Sequence, residues 1–406
     1  MSPTPQLRVL YITAGFPFPL SSGYLRHFHL LRELAPDHHL HLMSLVGPRF
    51  TPTDEDGLAS FVDQVTTFAR PTDRRGTDRL ARLLDPGRAD PAGVELAAAV
   101  AAELERGNVD VVVLSGKDTS RVADVVCGRV PLVIDLCDAT SSRVTQEIEL
   151  AGPARRAGLT IRRRNLRRVE RHLVELGDAL LTASSRDRDA LLEEGAPQRV
   201  SLAQVVPNGI DLAYWQRQSD RVGDSVVFCG NLGYRPNADA ARTLIQEIMP
   251  LVWAERPRTK VVVIGREASP SLIEDLSRPK VTLTGAVDDV RPHLELGAVF
   301  AAPLRMAAGI QNKLLEALAM ELPVVTTSVA AAGLVAGDDQ PPLTVADSPA
   351  TAARAILVQL ERVDYGLRWP HAEGRRWVGD RFQWTASGQT LADIVRHAEV
   401  SELASC

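Results

Sequence analysis

Several features are scarce in this chain of 406 residues, and each scarcity excludes a class of protein. The four cysteines (127, 137, 229 and 406) form no CxxC pair, which favours free thiols over a disulfide framework or a zinc site. The net charge of −5 argues against a general nucleic-acid binder, because phosphate contact needs a basic face. No run approaches the roughly 18 apolar residues that span a bilayer, and the N-terminus lacks a secretory signal pattern. We therefore expect a cytoplasmic protein.

Short β-rich runs alternate with helical patterns along the chain. Most of the predicted strands are apolar throughout, which is typical of parallel strands covered by helices on both faces. The predicted strands are 7–13, 40–46, 64–68, 109–115, 132–136, 179–182, 201–206, 225–229, 260–264, 281–284, 299–302, 324–327 and 343–345. The predicted helices are 24–34, 94–105, 160–176, 187–194, 238–255, 313–320 and 352–362. This alternation predicts a doubly wound α/β fold.

The series of strands restarts once, after a polar segment at residues 212–224. The Asn208-Gly209 pair just before it marks a turn, and the chain length suits two domains of about 100–200 residues each. We predict two Rossmann-like domains that face a cleft, at residues 1–207 and 208–382, with a C-terminal helix at 383–406 that packs back on the first domain. Because ligands bind at the carboxyl ends of parallel strands, we expect a ligand between the two domains.

Charged residues stand in an otherwise apolar segment, PLRMAAGIQNKLLEALAM, at residues 303–320. Gly309 lets the backbone approach a ligand, and free N–H groups at the start of the following helix attract anions. Arg305 and Lys313 can both reach a phosphate placed there. Glu316 shares a helix face with Lys313 and is placed to accept from ribose hydroxyls. The segment predicts a nucleoside diphosphate site; the alternative is a surface ion pair between Lys313 and Glu316.

This segment resembles the pattern PLR-x-x-x-G-x-QNK-x-LEA-x-A of family 4 of the retaining GT-B glycosyltransferases, in its exopolysaccharide-type branch. Three more stretches are similar to that family: VVPNGIDLAYW (205–215), VVFCGNLGYRPNADAARTLIQEIMPLV (226–252) and LTGAVDDVRPHL (283–294). The resemblance covers roughly residues 7–385. It implies a GT-B fold and a retaining hexosyltransferase that moves a sugar from a nucleoside diphosphate sugar, such as a UDP-sugar, to a hydroxyl or other nucleophile.

Strand ends in the second domain supply further donor-binding candidates. Gly230 and Asn231 end its first strand, and the backbone at Gly285 can read the nucleotide base while Val287 packs on it, as the resemblance also implies. The alternatives are turn chemistry at Asn231 and Gly285 and a helix N-cap at Asn237. The complete set of donor-binding candidates is Gly23, Gly230, Asn231, Gly285, Val287, Gly309, Ile310, Gln311, Asn312 and Glu316.

In the first domain, the resemblance makes Gly23 the glycine that lets the backbone approach the donor phosphate. Arg26 and His27 follow it, and a packed histidine is the alternative for His27. The family often has a histidine followed by an acid after a later strand; here Cys137 replaces the histidine and Asp138 keeps the acid. Asp138 can accept a hydrogen bond from a substrate hydroxyl, or it caps the next helix. The catalytic candidates are Arg305, Lys313 and Asp138.

A second departure from the family lies at Ala308, where many relatives have a carboxylate eight residues before Glu316. It leaves two rivals open: a non-catalytic partner subunit that binds nucleotide sugars, and a UDP-sugar 2-epimerase of the same fold. A DxD type of carboxylate pair is missing from the donor region, so we expect neither a metal nor another cofactor. The acceptor expected is a small molecule, a lipid-linked saccharide or a polysaccharide, in glycan or secondary-metabolite biosynthesis.

A basic run at residues 154–173 contains eight arginines. Ile161, Leu166, Val169 and Leu173 suggest one buried stripe with an arginine-rich outer face. That face, on helix 155–171, can hold an anionic lipid surface or an acidic acceptor, which would place the protein at the inner face of the membrane. The alternative is an ordinary solvated helix face.

Overall fold

The computed structural model describes residues 6–20, 24–71, 90–195, 202–219, 223–335, 339–365 and 372–399. The chain divides into two compact units, Met1–Gly209 with Trp384–Cys406, and Ile210–Gln383. Each unit contains one parallel sheet, of seven strands in the first and six in the second. The predicted α/β class with two doubly wound sheets is confirmed.

The sheet of the first unit has the strand order β3-β2-β1-β4-β5-β6-β7. Its strands are β1 (Arg8–Thr13), β2 (His39–Val46), β3 (Gln64–Ala69), β4 (Val111–Ser115), β5 (Leu132–Cys137), β6 (Ala179–Thr182) and β7 (Ala203–Val205). Its first helices are α1 (Leu25–Leu34), α2 (Pro91–Glu105), α3 (Ser120–Val126), α4 (Thr140–Glu149), α5 (Pro153–Leu176) and α6 (Ser185–Gly195), with 3-10 turns at Pro52–Gly57 and Lys117–Thr119. Leu10 and Ile12 join one apolar cluster while Val9 and Tyr11 join another, so β1 is covered on both faces.

The sheet of the second unit has the order β10-β9-β8-β11-β12-β13. Its strands are β8 (Ser225–Cys229), β9 (Val261–Ile264), β10 (Val281–Leu283), β11 (Gly297–Ala302), β12 (Val324–Thr326) and β13 (Thr344–Val345). Its helices are α7 (Arg235–Arg242), continued through a π-helical turn (Thr243–Ile248) into α8 (Met249–Glu255), then α9 (Pro270–Leu276), α10 (Arg291–Leu294), α11 (Asn312–Ala319), α12 (Ser328–Ala331), α13 (Pro349–Asp364) and α14 (Ala372–Arg381).

The last described helix, α15 (Trp384–His397), belongs to the first unit and packs along α1. The indole of Trp384 stacks on the imidazole of His29 with ring centroids 4.4 Å apart. Ser387 Oγ donates to the carbonyl of Pro207 at 2.7 Å, and Leu391 is fully buried in the cluster that α1 also lines. The side chain of Trp384 is therefore a packing anchor.

Each predicted strand coincides with an observed one, whereas several helices were not predicted. Helices α3, α4, α9, α10, α12 and α14 are additional, and α5 begins at Pro153 rather than at residue 160. The first turns of α5 are exposed almost throughout, so they carry no apolar periodicity. The prediction that Ile161 is buried is wrong, because its side chain is 46% exposed, while Leu166 and Val169 are buried.

The structure tests two expectations from the sequence: free cysteine thiols and the lack of a membrane-spanning segment. Cys137 and Cys229 carry free thiols, while Cys127 is disulfide-bonded, so the expected free thiols hold for two of these three residues. Within the described ranges, no helix combines the length and the apolar character that a membrane span requires.

Candidate functional site

The second sheet reverses its direction of winding between β8 and β11. From β8 the chain proceeds outward through β9 and β10, and from β11 it proceeds the other way through β12 and β13. At such a switch point the loops that follow two adjacent strands leave in opposite directions and open a crevice. Open α/β sheets bind ligands in this crevice. Gly230 follows β8 there, and the loop from Pro303 to Gln311 follows β11.

The loop after β11 is rigidly held. Gly309 has φ 63°, in the left-handed region that favours glycine. Gly333 packs against Gly309 so closely that a Cβ added at Gly333 would lie 2.2 Å from the carbonyl oxygen of Gly309. Gln311 Nε2 donates to the carbonyl of Ala308 at 3.0 Å, and Ile310 is buried. The backbone of the loop is thus fixed immediately before α11 begins at Asn312.

Lys313 is the central cation of this site. Its ammonium Nζ donates to Asn237 Oδ1 at 2.5 Å and lies 5.9 Å from the ring centroid of Phe228. Burial lowers the pKa of Lys313. Among the residues that the structure describes, Lys313 forms no ion pair within 4 Å. The ammonium group is hydrogen-bonded to a neutral amide, and no bonded carboxylate neutralises its charge.

Asn237 links Lys313 to the end of β8. Asn237 Nδ2 donates to the carbonyl of Asn231 at 2.9 Å, and a Cβ on Gly230 would collide with the same amide at 2.7 Å. The N-cap of α7 is Tyr234, so the alternative that Asn237 caps this helix is wrong. Gly230 is needed because the amide of Asn237 fills the space where a side chain would be.

Glu316 lies one turn beyond Lys313 on α11. Burial raises the pKa of its carboxyl group to about 7, against an opposing effect of Lys313. The protonated form of this carboxyl group is therefore populated near neutral pH. A hydroxyl that donates to it would favour the ionised form.

Arg305 is engaged by a carboxylate in this structure. Its Nε and Nη2 donate to Asp239 Oδ2 and Oδ1 at 2.8 and 2.5 Å, and Glu247 lies 3.9 Å from Nη1. The side chain is 39% exposed, at the rim of the site. To contact a phosphate, Arg305 has to exchange Asp239 for it. Asp239 lies within the motif at residues 226–252, but nothing in the sequence pairs it with Arg305.

The other donor-binding candidates in the second unit follow β8 and β10. Asn231 makes turn contacts: its Oδ1 accepts from the N–H of Gly233 at 2.8 Å and its Nδ2 donates to Glu267 at 3.1 Å. Gly285 follows β10 with φ 70° and open space where a Cβ would lie. Val287 is half-buried two residues later.

Sequence reasoning missed Tyr214, which lies beside the segment after β10. The guanidinium of Arg291 lies 3.9 Å from the centroid of its ring, and Arg291 Nη1 donates to the carbonyl of Tyr214 at 2.7 Å. Arg291 also pairs with Asp289 at 2.7 Å. The polar segment at 212–224 gave no signal for this aromatic contact beyond the presence of the ring.

In the first unit, Asp138 lies at the carboxyl end of β5. Its Oδ1 accepts from Thr140 Oγ1 at 2.6 Å and from Lys117 Nζ at 3.4 Å. The N-cap of α4 is Ala139, so Asp138 is not the capping residue. Cys137 precedes it with φ 59°, and burial raises the pKa of its thiol to about 12. The thiol of Cys137 is therefore protonated near neutral pH, and it stands where the resembling family often has a histidine.

Lys117 was also missed by the sequence analysis. It follows β4 and lies 3.6 Å from Glu170 on α5 as well as near Asp138. Burial lowers its pKa, but Asp138 and Glu170 more than offset this, and the net pKa of Lys117 is raised. The ammonium thus holds two carboxylates at one edge of the first sheet.

The residues near Gly23 are packed into the first unit. Gly23 itself lies outside the described residues. Arg26 is buried and pairs with Asp135 at 2.7 Å, and His27 bonds to Tyr11 and Ser115. Burial lowers the pKa of His27 to about 4, so it is neutral at physiological pH. The packed alternative is correct for this histidine.

Part of the second unit is similar to a known protein family. The family model for group 1 glycosyl transferases matches residues 223–362. No curated protein sequence matches the chain.

Several solved structures share the fold across both units. HepE of Anabaena, in complex with UDP-glucose, has a TM-score of 0.66 at 14% identity and covers 95% of this chain and 99% of its own. Sucrose-phosphate synthase of Thermosynechococcus elongatus has a TM-score of 0.69 at 16% identity, with coverage of 96% and 98%. WaaG, a glycosyltransferase of lipopolysaccharide biosynthesis, has a TM-score of 0.65 at 20% identity, with coverage of 95% and 99%. The chain therefore has the fold of the GT-B glycosyltransferases, and its second unit carries the segment that matches the group 1 glycosyl transferase model.

Proposed function

We propose that this protein is a glycosyltransferase that moves a sugar from a nucleoside diphosphate sugar to an acceptor, with retention at the anomeric carbon. The observation that carries the proposal is the partly buried ammonium of Lys313 at the switch point of the second sheet, beside the Gly309 loop and the start of α11. A buried cation without a bonded carboxylate is costly unless an anion binds it. A diphosphate supplies that anion.

The neighbours support a uridine nucleotide as the donor carrier. HepE was solved with UDP-glucose, and the match to the group 1 model falls on the unit that holds Lys313. Gly285 and Val287 are our candidates for contact with the base, and Glu316 for the ribose hydroxyls. We further propose membership of family 4 and of its exopolysaccharide-type branch, on the motif at residues 303–320.

The chemistry asked of the protein is stabilisation of a leaving group. The bond between the anomeric carbon and the β-phosphate oxygen breaks, and a bond from the acceptor oxygen to that carbon forms on the same face. The acceptor proton passes to the departing phosphate oxygen, so no separate base is needed. Lys313 and the N–H groups at the start of α11 oppose the growing phosphate charge, and preorganised groups of this kind supply much of enzymatic rate enhancement. Arg305 adds to this charge stabilisation once it exchanges Asp239 for the phosphate.

The acceptor is assigned to the first unit, where Asp138 is our candidate for a hydrogen bond to a substrate hydroxyl. We propose a hydroxyl-bearing acceptor, either a small molecule or a lipid-linked or free saccharide. The charge-stabilising groups above are side chains and backbone amides, so we expect turnover without a metal. Activity should therefore persist in EDTA.

Donor hydrolysis with a panel of UDP-, GDP- and dTDP-sugars tests the proposal. We expect one donor to be bound and slowly hydrolysed, and Lys313→Ala and Arg305→Ala to reduce turnover by about a hundredfold or more. Lys260→Ala removes an exposed lysine of the same unit and should leave turnover unchanged. Binding of no donor, or full activity in both site variants, would overturn the proposal.

A second candidate is a non-catalytic partner subunit that binds nucleotide sugars. Two observations favour it: Cys137 is a partly buried thiol with a raised pKa, and Ala308 presents a buried methyl group where many members of the resembling family have a carboxylate. This candidate predicts donor binding without turnover under any acceptor. Epimerisation of a UDP-sugar without acceptor would instead identify the 2-epimerase alternative. NMR of the anomeric proton of a product distinguishes retention from inversion.

A further inference from the structure

Helices α4 and α5 form a hairpin that extends beyond the carboxyl edge of the first sheet. The N–H of Ser141, at the start of α4, donates to Glu170 Oε1 at 3.2 Å. Glu170 also lies 3.6 Å from Lys117, which directly follows β4, so it marks the level of that edge. From Glu170 back to Pro153, α5 runs for roughly 25 Å at about 1.5 Å per residue. Most of the hairpin therefore lies outside the sheet layer.

The outer part of this hairpin is strongly basic. Its arginines before Glu170 are Arg155, Arg156, Arg162, Arg163, Arg164, Arg167 and Arg168. Glu147, in the last turn of α4, is buried and pairs with Arg155 in the first turn of α5 at 3.2 Å. On α5, Ile161, Arg164, Arg168 and Arg171 recur every three or four residues, and all four are exposed, so they form one outer stripe. This concentration of positive charge contrasts with the net charge of −5 of the whole chain.

Two large apolar side chains accompany the arginines. Leu150, at the end of α4, is 43% exposed, and Ile161 is 46% exposed on the stripe itself. Single exposed apolar residues are common. An exposed apolar residue within a row of arginines has a more specific meaning, because a helix at a bilayer surface presents both.

We propose that the α4–α5 hairpin binds the surface of a bilayer that contains anionic lipids. The arginines contact phosphate headgroups, each contributing electrostatic attraction, while Ile161 and Leu150 enter the headgroup region. Nucleic acid fits this surface less well, since residues 140–176 contain no phenylalanine, tyrosine or tryptophan on which a base could stack.

Vesicle co-sedimentation of the full chain tests the proposal. The probes are vesicles of phosphatidylcholine alone and of phosphatidylcholine with about a third phosphatidylglycerol, each over a series of salt concentrations. We expect binding only to the anionic vesicles, with an affinity that falls as salt rises. Replacing Arg162, Arg163 and Arg164 together with glutamine should weaken it by on the order of a hundredfold.

The matched control removes three exposed arginines elsewhere, Arg129, Arg258 and Arg278, by the same glutamine substitutions. It should bind vesicles like the wild type, and Ile161→Ser should bind several-fold more weakly. Equal loss in both triple variants, or equal binding to neutral vesicles, would overturn the proposal. So would binding to a soluble polyanion such as heparin with no binding to vesicles. Donor binding, measured in parallel, should be the same in both triple variants, which separates this inference from the proposed transferase function.

Discussion

Two partly buried lysines, Lys117 and Lys313, occupy comparable places in the two units. Each follows a central parallel strand at its carboxyl end, in a loop or the first turn of a helix. Lys117 is surrounded by Asp138 and Glu170, which more than offset the effect of burial and raise its pKa. Lys313 is bonded to the amide of Asn237 and has its pKa lowered by burial.

The two lysines differ in whether the protein itself supplies carboxylates that pair with the ammonium group. In the first unit the carboxylates come from the chain itself, so the cluster stabilises the fold and positions Asp138. In the second unit Lys313 has no such bonded partner among the described residues, and the nearby carboxyl of Glu316 has a pKa of about 7. Perturbed groups of this kind are typical of ligand sites, and the expected partner of Lys313 is a diphosphate.

The largest effect expected from this comparison is on turnover. Lys313→Met should reduce turnover of the nucleotide-sugar donor by about 10²–10³-fold, because it removes a cation that stabilises the leaving phosphate. Its free energy of unfolding should change by less than about 1 kcal/mol, since the buried charge that is lost had no bonded carboxylate. Steady-state kinetics and urea unfolding give the two values. A large loss of stability in this variant would show that Lys313 is part of a structural cluster like that of Lys117.

Lys117→Met should have the opposite profile. It leaves Glu170 buried without its cation, and we expect the free energy of unfolding to fall by about 3 kcal/mol. The double variant Lys117→Met/Glu170→Gln should recover part of this loss, because the uncompensated carboxylate is then gone. Urea unfolding of the two single variants and the double variant checks the coupling. Strict additivity would mean that the two side chains do not interact.

The strands and the donor loop were predictable from the sequence for one reason: their signals are local. Buried parallel strands are continuous apolar runs, and Gly309 followed by Lys313 and Glu316 falls within one short segment. The structure places these three where the start of α11 meets the switch point. Their contact with a donor stays a prediction.

The unpredicted parts depend on partners far apart in the chain. Arg305 pairs with Asp239, which lies 66 residues away in the sequence, and Lys313 donates a hydrogen bond to Asn237, which lies 76 residues away. A single sequence gives no sign of such pairings, so Asn237 was weighed as an N-cap. Helix α4 was missed because it is short and contains only two apolar residues, Val144 and Ile148.

A smaller effect is expected on the pH dependence of stability, through the titration of Glu316 beside Lys313. Its pKa in the folded protein, about 7, lies above that of an unfolded glutamate, so the folded state holds more protons between these values. Stability from this group is therefore fully present below about pH 4.3 and falls as pH rises towards 7. We expect the wild type to lose on the order of 2 kcal/mol across this range relative to Glu316→Gln.

Urea unfolding of both proteins at pH 5 and pH 7.5 measures that difference. The control is Glu255→Gln, which alters an exposed glutamate of the same unit and should keep the slope of the wild type. Donor binding adds a second readout: an ionised Glu316 accepts from ribose hydroxyls, so affinity should rise with pH through 7 in the wild type only. Parallel pH profiles in wild type and Glu316→Gln would exclude this carboxylate from the site.

The smallest effect concerns the loop that presents Lys313. In Gly333→Ala, the added methyl group would lie 2.2 Å from the carbonyl oxygen of Gly309, so the loop backbone has to shift. We expect donor affinity to fall about tenfold, because a backbone cradle works only at close approach. Gly47→Ala, which meets nothing within 4 Å in the first unit, should leave affinity unchanged. Isothermal titration with the donor nucleotide compares the two; equal affinities would mean that the Gly309 loop does not hold the phosphate, leaving Lys313 to bind it from the helix alone.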